Sequence, residues 1–216
     1  MSRDVSGLPP PPADFAALDL WIEEIEPSRL LRLARRNKRT HYTFRRNARY
    51  RFDAPDKSFG VLYAAFDLRT AFAESLLRET PRKTSAVDRV VLGWDEVDDR
   101  RVVTLGAGSA ARQLRLISLC GDGLVAARID NRIATVDDYV TTRKWAKACH
   151  SHPLKADGIL YMSRFLGDSR SVALFDRARR ALEVSRVVPL LSHADFDDVI
   201  EAFDVGIERP PAGRRR

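Results

Sequence analysis

Apolar residues fall in short bursts along this chain, and the spacing within each burst separates strands from helices. Phe15, Leu18, Ile22 and Ile25 recur at helical intervals before Pro27, which predicts a helix over residues 13–25. SRLLRLARRNKR mixes apolar and basic positions, and the aromatic, arginine-rich stretch 42–52 reads as extended. GVLYAAF (60–66) is a continuous apolar run, the pattern of a buried strand. It leads into a helix over 68–79, with Asp67 as N-cap, Leu68, Phe72 and Leu76 on one stripe, and Pro81 just past the end. RVVLGW (89–94) and RVVTL (101–105) read as strands, and 109–119 as a helix broken by GDG at 121–123. Asp137 or Asp138 caps a helix running to about His150. DGILYMS (157–163) and SVALFD (171–176) read as a strand pair, and LEVSRVVPL (182–190) as an alternating strand. Ser192 is the expected cap of a last helix carrying Phe196, Ile200 and Phe203.

Strands and helices are interspersed, so the fold class is α+β, a mixed α/β arrangement. The 216 residues fit a single domain over 13–208. A flexible N-terminal tail is expected at 1–12, where GLPPPP reads as polyproline, and a flexible basic tail at 209–216. Hydrophobic residues make up 44% and charged residues 31%, a balance that excludes a disordered chain and leaves enough for a sizeable core. No apolar run reaches the roughly 18 residues of a membrane helix, and the N-terminus lacks the apolar core of a secretory signal. Two cysteines make no disulfide framework, so a cytoplasmic location is expected.

Charge changes the picture by its placement. Residues 28–51 hold ten Lys/Arg and no acid; subtracting these from the net +7 leaves −3 for the rest. A local basic excess of this kind points to an anionic partner, against the alternative of a solvated face. Interleaved with His41, Tyr42, Phe44, Tyr50 and Phe52, it also fits an RNA-binding surface, although no RNP, KH or zinc-finger pattern accompanies it.

Glu74 is the acid that raises a question. On the helix it lies opposite the apolar stripe, where it would form an i,i+4 surface pair with Arg78. GAG (106–108) lacks the third glycine of a dinucleotide fingerprint. Cys149, His150 and His152 are adjacent in CHSH, but neighbours on a helix point apart, so a helix C-terminus with histidines near the negative end of the dipole is expected and no metal. GxSxG, GxxxxGK[ST] and HExxH are all missing.

Taken in order, YRFD (50–53), FGVLYAA followed by AFAE (71–74), DGILYMSR (157–164) and ALFD (173–176) resemble the RES domain family, over roughly residues 28–190. The family is named for its Arg, Glu and Ser positions, and its members are commonly toxins of toxin–antitoxin pairs. The resemblance implies an ADP-ribosyltransferase-like core of small mixed sheets flanked by helices. It implies NAD⁺ as a substrate, cleaved with transfer of ADP-ribose to water, phosphate or a protein. It further implies a cognate antitoxin, a homodimer, no membrane, and nucleic acid only through the antitoxin. Carried over by motif, the first site arginine falls on Arg32, with Arg29 and Arg35 as alternatives in the same crowded segment, and the second on Arg51. The tyrosine falls on Tyr63, the glutamate on Glu74 and the serine on Ser163. Some relatives carry a tyrosine after the first arginine; here Leu33 stands there, with Tyr42 the candidate to replace the ring.

These residue types suit the chemistry. Arginine's planar fork binds phosphate oxygens bidentately, the role expected of Arg32 and Arg51. A carboxylate such as Glu74 stabilises positive charge building on a ribose as its glycosidic bond breaks. Tyr63 is placed to stack on the nicotinamide, and Ser163 to hydrogen-bond ribose or carboxamide.

Overall fold

The computed structural model describes residues 7–78, 90–137 and 139–209. In chain order these form β1 (Ile22–Ile25), β2 (Leu31–Arg35), β3 (Val61–Ala65), α1 (Leu68–Phe72), β4 (Val90–Gly93), α2 (Trp94–Asp98), β5 (Arg100–Ala107) and β6 (Leu114–Leu119). Then come α3 (Asp122–Ala126), α4 (Arg132–Thr135), α5 (Tyr139–Ser151), β7 (Gly158–Met162), β8 (Arg170–Phe175), β9 (Leu182–Pro189), α6 (Phe196–Ala202) and β10 (Val205–Glu208). None of the described helices is long and apolar enough to cross a membrane.

Eight strands follow one another in the order β1-β6-β7-β8-β3-β2-β5-β9, and β10 with β4 forms a small parallel pair. The eight-stranded order conceals a seam. β3 pairs with β8 over five residues, from Val61 opposite Phe175 to Ala65 opposite Ser171. β2 pairs with β5 over five residues, from Leu31 opposite Thr104 to Arg35 opposite Arg100. Between β2 and β3 the register holds only Leu31 opposite Ala65. The sheet is therefore two halves, β1-β6-β7-β8-β3 and β2-β5-β9, joined at one residue pair. Leu62, Leu160, Val172 and Leu174 from the first half share one buried cluster with Leu30, Val103, Leu105 and Leu182 of the second half and its edge. The outer face of the first half packs against Trp145, Ala146 and Cys149 of α5. Leu68, Phe72 and Leu76 back the second half together with Val199 of α6.

The helix after β3 follows the expected pattern at its start. The Asp67 carboxylate accepts from the Thr70 amide at 2.7 Å, and Leu68, Phe72 and Leu76 are buried. From Ala73 to Leu77 the helix widens into a π-helical turn that contains Glu74. The 171–176 strand pairs antiparallel with the 157–163 strand as expected, and α5 ends close to His150.

Elsewhere the structure differs. Residues 13–25 form one 3-10 turn, Phe15–Ala17, and then strand β1, because IEEI pairs along β6. The segment 109–119 contains no helix among its residues; Leu114–Leu119 is a central strand with β1 on one side and β7 on the other. A short apolar run buried on both faces has no periodicity to distinguish the two states. Residues 42–52 are irregular, with a single bridge from Arg45 to Val61. The last helix is preceded by Asp195, not Ser192. Within residues 7–12, Leu8 is buried, and the Pro9 carbonyl accepts from the indole of fully buried Trp145 at 2.8 Å, while Gly7, Pro9 and Pro10 are exposed. The rest of both expected tails, residues 1–6 and 210–216, lies outside the described residues, as do Glu79, Pro81, Arg89 and Asp138.

Candidate functional site

A cleft of about 260 Å³ opens where β2 and β3 part. Beyond Leu31 and Ala65 the register would bring Leu33 opposite Tyr63, and that pair does not form. Arg32, Leu33, Ala34 and Arg35 line one wall, and Tyr63, Ala64 and Ala65 the other. Glu74, Ser75 and Arg78 of the helix line it too, with Thr43, Arg45, Arg49 and Tyr50 from the loop before β3 and Tyr161 and Ser171 from the sheet. That loop is held against β3 at Gly60, where a Cβ would stand 2.8 Å from the Phe44 carbonyl oxygen, so only glycine lets the chains pass this closely. The Gly60 amide and the Arg46 guanidinium both donate to Asp176, at 2.8 and 2.6 Å.

Glu74 and Ser163, 89 residues apart, meet here. The Ser163 hydroxyl donates to Glu74 Oε1 at 2.7 Å, and the Arg164 amide donates to the same oxygen at 3.0 Å. Glu74 Oε2 has no donor among the described residues, leaving one carboxylate oxygen for another molecule. Ser163 is buried, and its oxygen also accepts from the amides of Phe165 and Leu166, both at 3.3 Å. The serine therefore fixes the start of the β7–β8 connection and aims the carboxylate at once. The expected Glu74–Arg78 surface pair does not form: the glutamate turns to Ser163, while the Arg78 guanidinium lies over the Tyr50 ring, 4.5 Å from its centroid.

The arginines sort themselves by partner. Arg35 is neutralised by Asp99 at 2.9 Å, and Arg29 is exposed over the Phe66 ring. Arg32 lines the cleft and donates to the carbonyls of Thr40 and His41 at 3.2 and 3.3 Å. Burial, and then Arg45 nearby, pull its pKa down to about 10, so it remains charged at neutral pH. Of the three alternatives, Arg32 is the one whose charge faces the cleft without a carboxylate. Arg51 is not a wall of the cleft. It is buried, donates to the Ile133 and Val136 carbonyls at 3.1 and 2.8 Å, and lies under Tyr139 at 4.8 Å. Burial lowers its pKa, and Glu74 acts on it only through its field. Of the two arginines expected to bind phosphate, Arg51 is thus engaged through one guanidinium nitrogen by the end of α4, and Arg32 is the one that lines the cleft.

Tyr63 lines the cleft, but its hydroxyl is a strut. It accepts from the Phe52 amide at 2.9 Å and donates to Asp53 Oδ1 at 3.0 Å. Asp53 Oδ2 in turn accepts from the amides of Arg49 and Tyr50 at 2.8 and 2.7 Å. This network seats the turn that carries Arg49 and Tyr50 to the cleft. Burial raises the Tyr63 pKa well above its ordinary value, and the nearby Asp53 charge raises it further. Tyr42 does not replace a ring at Leu33: its hydroxyl donates to the Leu182 carbonyl at 2.8 Å, beside β9.

Sequence reasoning did not single out Arg45, Arg49, Tyr50 or Tyr161 as site residues, and it read Arg78 only as the partner of Glu74. The signal for the first three was the basic and aromatic mixing of 42–52. Tyr161 sits two residues before Ser163 on the same face of the sheet, and burial and then Glu74 raise its pKa. Among the described residues, Arg32, Arg45, Arg49 and Arg78 have no carboxylate partner, so four uncompensated cations surround one glutamate. Clefts of this kind concentrate anions. His150 stacks flat on Phe59, centroids 4.0 Å apart, and Cys149 is fully buried. No group of three metal-binding side chains occurs among the described residues.

Comparison with known proteins places the chain in a family. A curated relative described as "Probable toxin y4kH", from Sinorhizobium fredii, is 38% identical over 92 residues, covering 42% of this chain and 69% of that protein. The fold is similar to a chain of the M. tuberculosis MbcT–MbcA toxin–antitoxin complex, with a TM-score of 0.59 and 14% identity over 87% of this chain and 97% of that one. The family model described as the RES domain matches residues 26–197, and the chain belongs to that family.

Proposed function

We propose that this protein is the toxin of a bacterial toxin–antitoxin pair and that it cleaves the nicotinamide–ribose bond of NAD⁺, passing ADP-ribose to an acceptor. The observation that carries the reading is the Glu74 carboxylate, held by Ser163 and the Arg164 amide inside a cleft lined by uncompensated arginines. Membership of the RES family and likeness to proteins named as toxins support the toxic role.

The chemistry follows from charge. As the C–N bond of NAD⁺ breaks, its electron pair leaves with nicotinamide and neutralises the pyridinium ring. Positive charge appears on the ribose C1′ and its ring oxygen. Glu74 Oε2, the oxygen without a donor among the described residues, faces that charge or a ribose hydroxyl. In a partly closed cleft it acts more strongly than in bulk water. An acceptor oxygen then bonds to C1′ and gives up its proton; water yields ADP-ribose, phosphate yields ADP-ribose 1″-phosphate, and a protein side chain yields a modified protein. Ser163 holds the carboxylate in place. A cognate antitoxin neutralises the toxin by covering the cleft, whose positive lining suits an acidic segment.

Incubating the purified protein with NAD⁺ and following products by mass spectrometry, with and without phosphate and cell lysate, tests the reading. Nicotinamide release that falls steeply in Glu74→Gln is expected. No release under any of these conditions, with salt-sensitive RNA binding in its place, would overturn it.

A further inference from the structure

Arg78 is the cleft arginine with the most specific setting. It lies one helical turn beyond Glu74, on the same helix. Its guanidinium sits 4.5 Å from the centroid of Tyr50 and 6.0 Å from that of Tyr139, and Tyr139 in turn covers the guanidinium of Arg51 at 4.8 Å. Tyr50 is itself fixed: its amide donates to buried Asp53, and its ring meets Tyr63 edge to face at 5.8 Å. Aromatic rings against a guanidinium hold its plane and strip water from its faces. They leave the N–H groups at its edge without partners. Among the described residues no carboxylate pairs with Arg78 and no acceptor takes its hydrogen bonds. A half-buried charge with five idle donors is poorly satisfied alone and well matched to two adjacent oxygens of a phosphate.

Arg51 differs: it is buried, outside the lining of the cleft, with one guanidinium nitrogen already donating to the Ile133 and Val136 carbonyls. We propose that Arg78, held by Tyr50 and Tyr139, grips the pyrophosphate of a bound dinucleotide, taking the share of that role that the family resemblance gives to Arg51 beside Arg32. The inference rests on the NAD⁺ reading above for the identity of the ligand. It orients that ligand: the reacting ribose lies at Glu74, and the phosphates follow the helix toward Arg78.

Calorimetric titration of the full chain with ADP-ribose and with adenosine, which lacks phosphate, tests this directly. Wild-type protein should bind ADP-ribose more tightly than adenosine. Arg78→Ala should weaken ADP-ribose by at least about tenfold and leave adenosine unchanged, with Arg78→Lys intermediate because it keeps the charge and loses the fork. Arg78→Met, which keeps an unbranched apolar stem, serves if the alanine variant does not fold. Equal binding of ADP-ribose by wild type and variant, or equal loss of both probes, overturns the proposal. So does a wild type that does not prefer ADP-ribose to adenosine. Nicotinamide release measured in parallel separates the two readings. Phosphate-dependent binding through Arg78 without NAD⁺ cleavage would remove the catalytic reading and keep this one. NAD⁺ cleavage with an unchanged KM in Arg78→Ala would do the reverse.

Discussion

The two edges of β3 have opposite fates. Toward β8 it is zipped over five residues, and the side chains there are plain apolar packing, Leu62, Ala64, Val172 and Leu174 among them. Toward β2 it is joined only at Ala65, with Arg45 bridging to Val61 at the far end. Between those two points the strands part, and the gap collects Arg32, Tyr63 and Glu74. Leaving a strand edge open inside a sheet gives up ladder hydrogen bonds, because buried backbone groups need partners. In return, the cleft has walls made of strands, which hold side chains in place better than loops do. The closed edge thus carries packing and the open edge holds the proposed site, and substitutions on each should separate the two.

On the closed edge, Leu174→Ala removes a fully buried side chain from the cluster between the sheet halves. It should cost about 2–5 kcal/mol of stability, seen as a large fall in the denaturation midpoint. Nicotinamide release per folded molecule should stay near wild type. On the open edge, Glu74→Gln keeps an oxygen that can accept from Ser163 and the Arg164 amide but removes the charge. Nicotinamide release should fall by about 10²–10³, the range for losing one electrostatic stabiliser of a transition state. The melting temperature should barely move. If Glu74→Gln instead unfolded the protein and left specific activity intact, the division between the edges would be lost.

Tyr63 is where the two roles touch. Its ring lines the cleft while its hydroxyl ties Phe52 and Asp53. Tyr63→Phe keeps the ring and orphans a buried carboxylate oxygen and an amide, so stability should fall by about 1–3 kcal/mol. If the ring is what the substrate meets, turnover at saturating NAD⁺ should survive. A silent stability change would show that water replaces the hydroxyl.

Much of this division was legible in the sequence. GVLYAAF announced its strand, Asp67 its cap, and Leu68, Phe72 and Leu76 the buried stripe, because each is a local pattern with a local cause. The family pattern drew attention to Glu74 and Ser163, which the fold brings within hydrogen-bond distance. What was not legible depends on long-range pairing. Leu114–Leu119 gains its strand identity from β1 and β7, and Ile22–Ile25 from β6, neighbours that no local window contains. The partners of individual arginines were hidden for the same reason. Nothing local says that Arg35 will find Asp99, that Arg51 will meet α4, or that Arg78 will leave Glu74 for Tyr50. The packing of Leu8 likewise needs Trp145, 137 residues away, to receive the chain at Pro9.

The smallest expected effect lies behind the closed edge, and it is a matter of pH. His150 near the end of α5 stacks on Phe59 and meets Phe175 edge to face. A helix C-terminus favours a charged imidazole. Burial outweighs that here, and Arg177 adds to it, lowering the His150 pKa from 6.5 to about 4, while Asp176 and Asp56 pull the other way and Lys155 reinforces the fall. The folded pKa is therefore below the unfolded one, and protonation favours the unfolded chain. The stability this ring contributes is fully present above about pH 6.5 and is lost as pH falls toward 4. Half-exposed groups are screened by solvent, so the melting temperature should drop by no more than about 2–4 °C across that window. Asp176 and Asp56 also have lowered pKa values, and their contributions fade at lower pH, below the ordinary carboxylate value of 3.8. His41, lowered as well by burial, is common to wild type and variant. Subtracting the pH profile of His150→Gln from that of wild type should leave a curve that is flat above pH 6.5 and declines below it. A difference that rises as pH falls would mean that the dipole, not burial, governs this histidine.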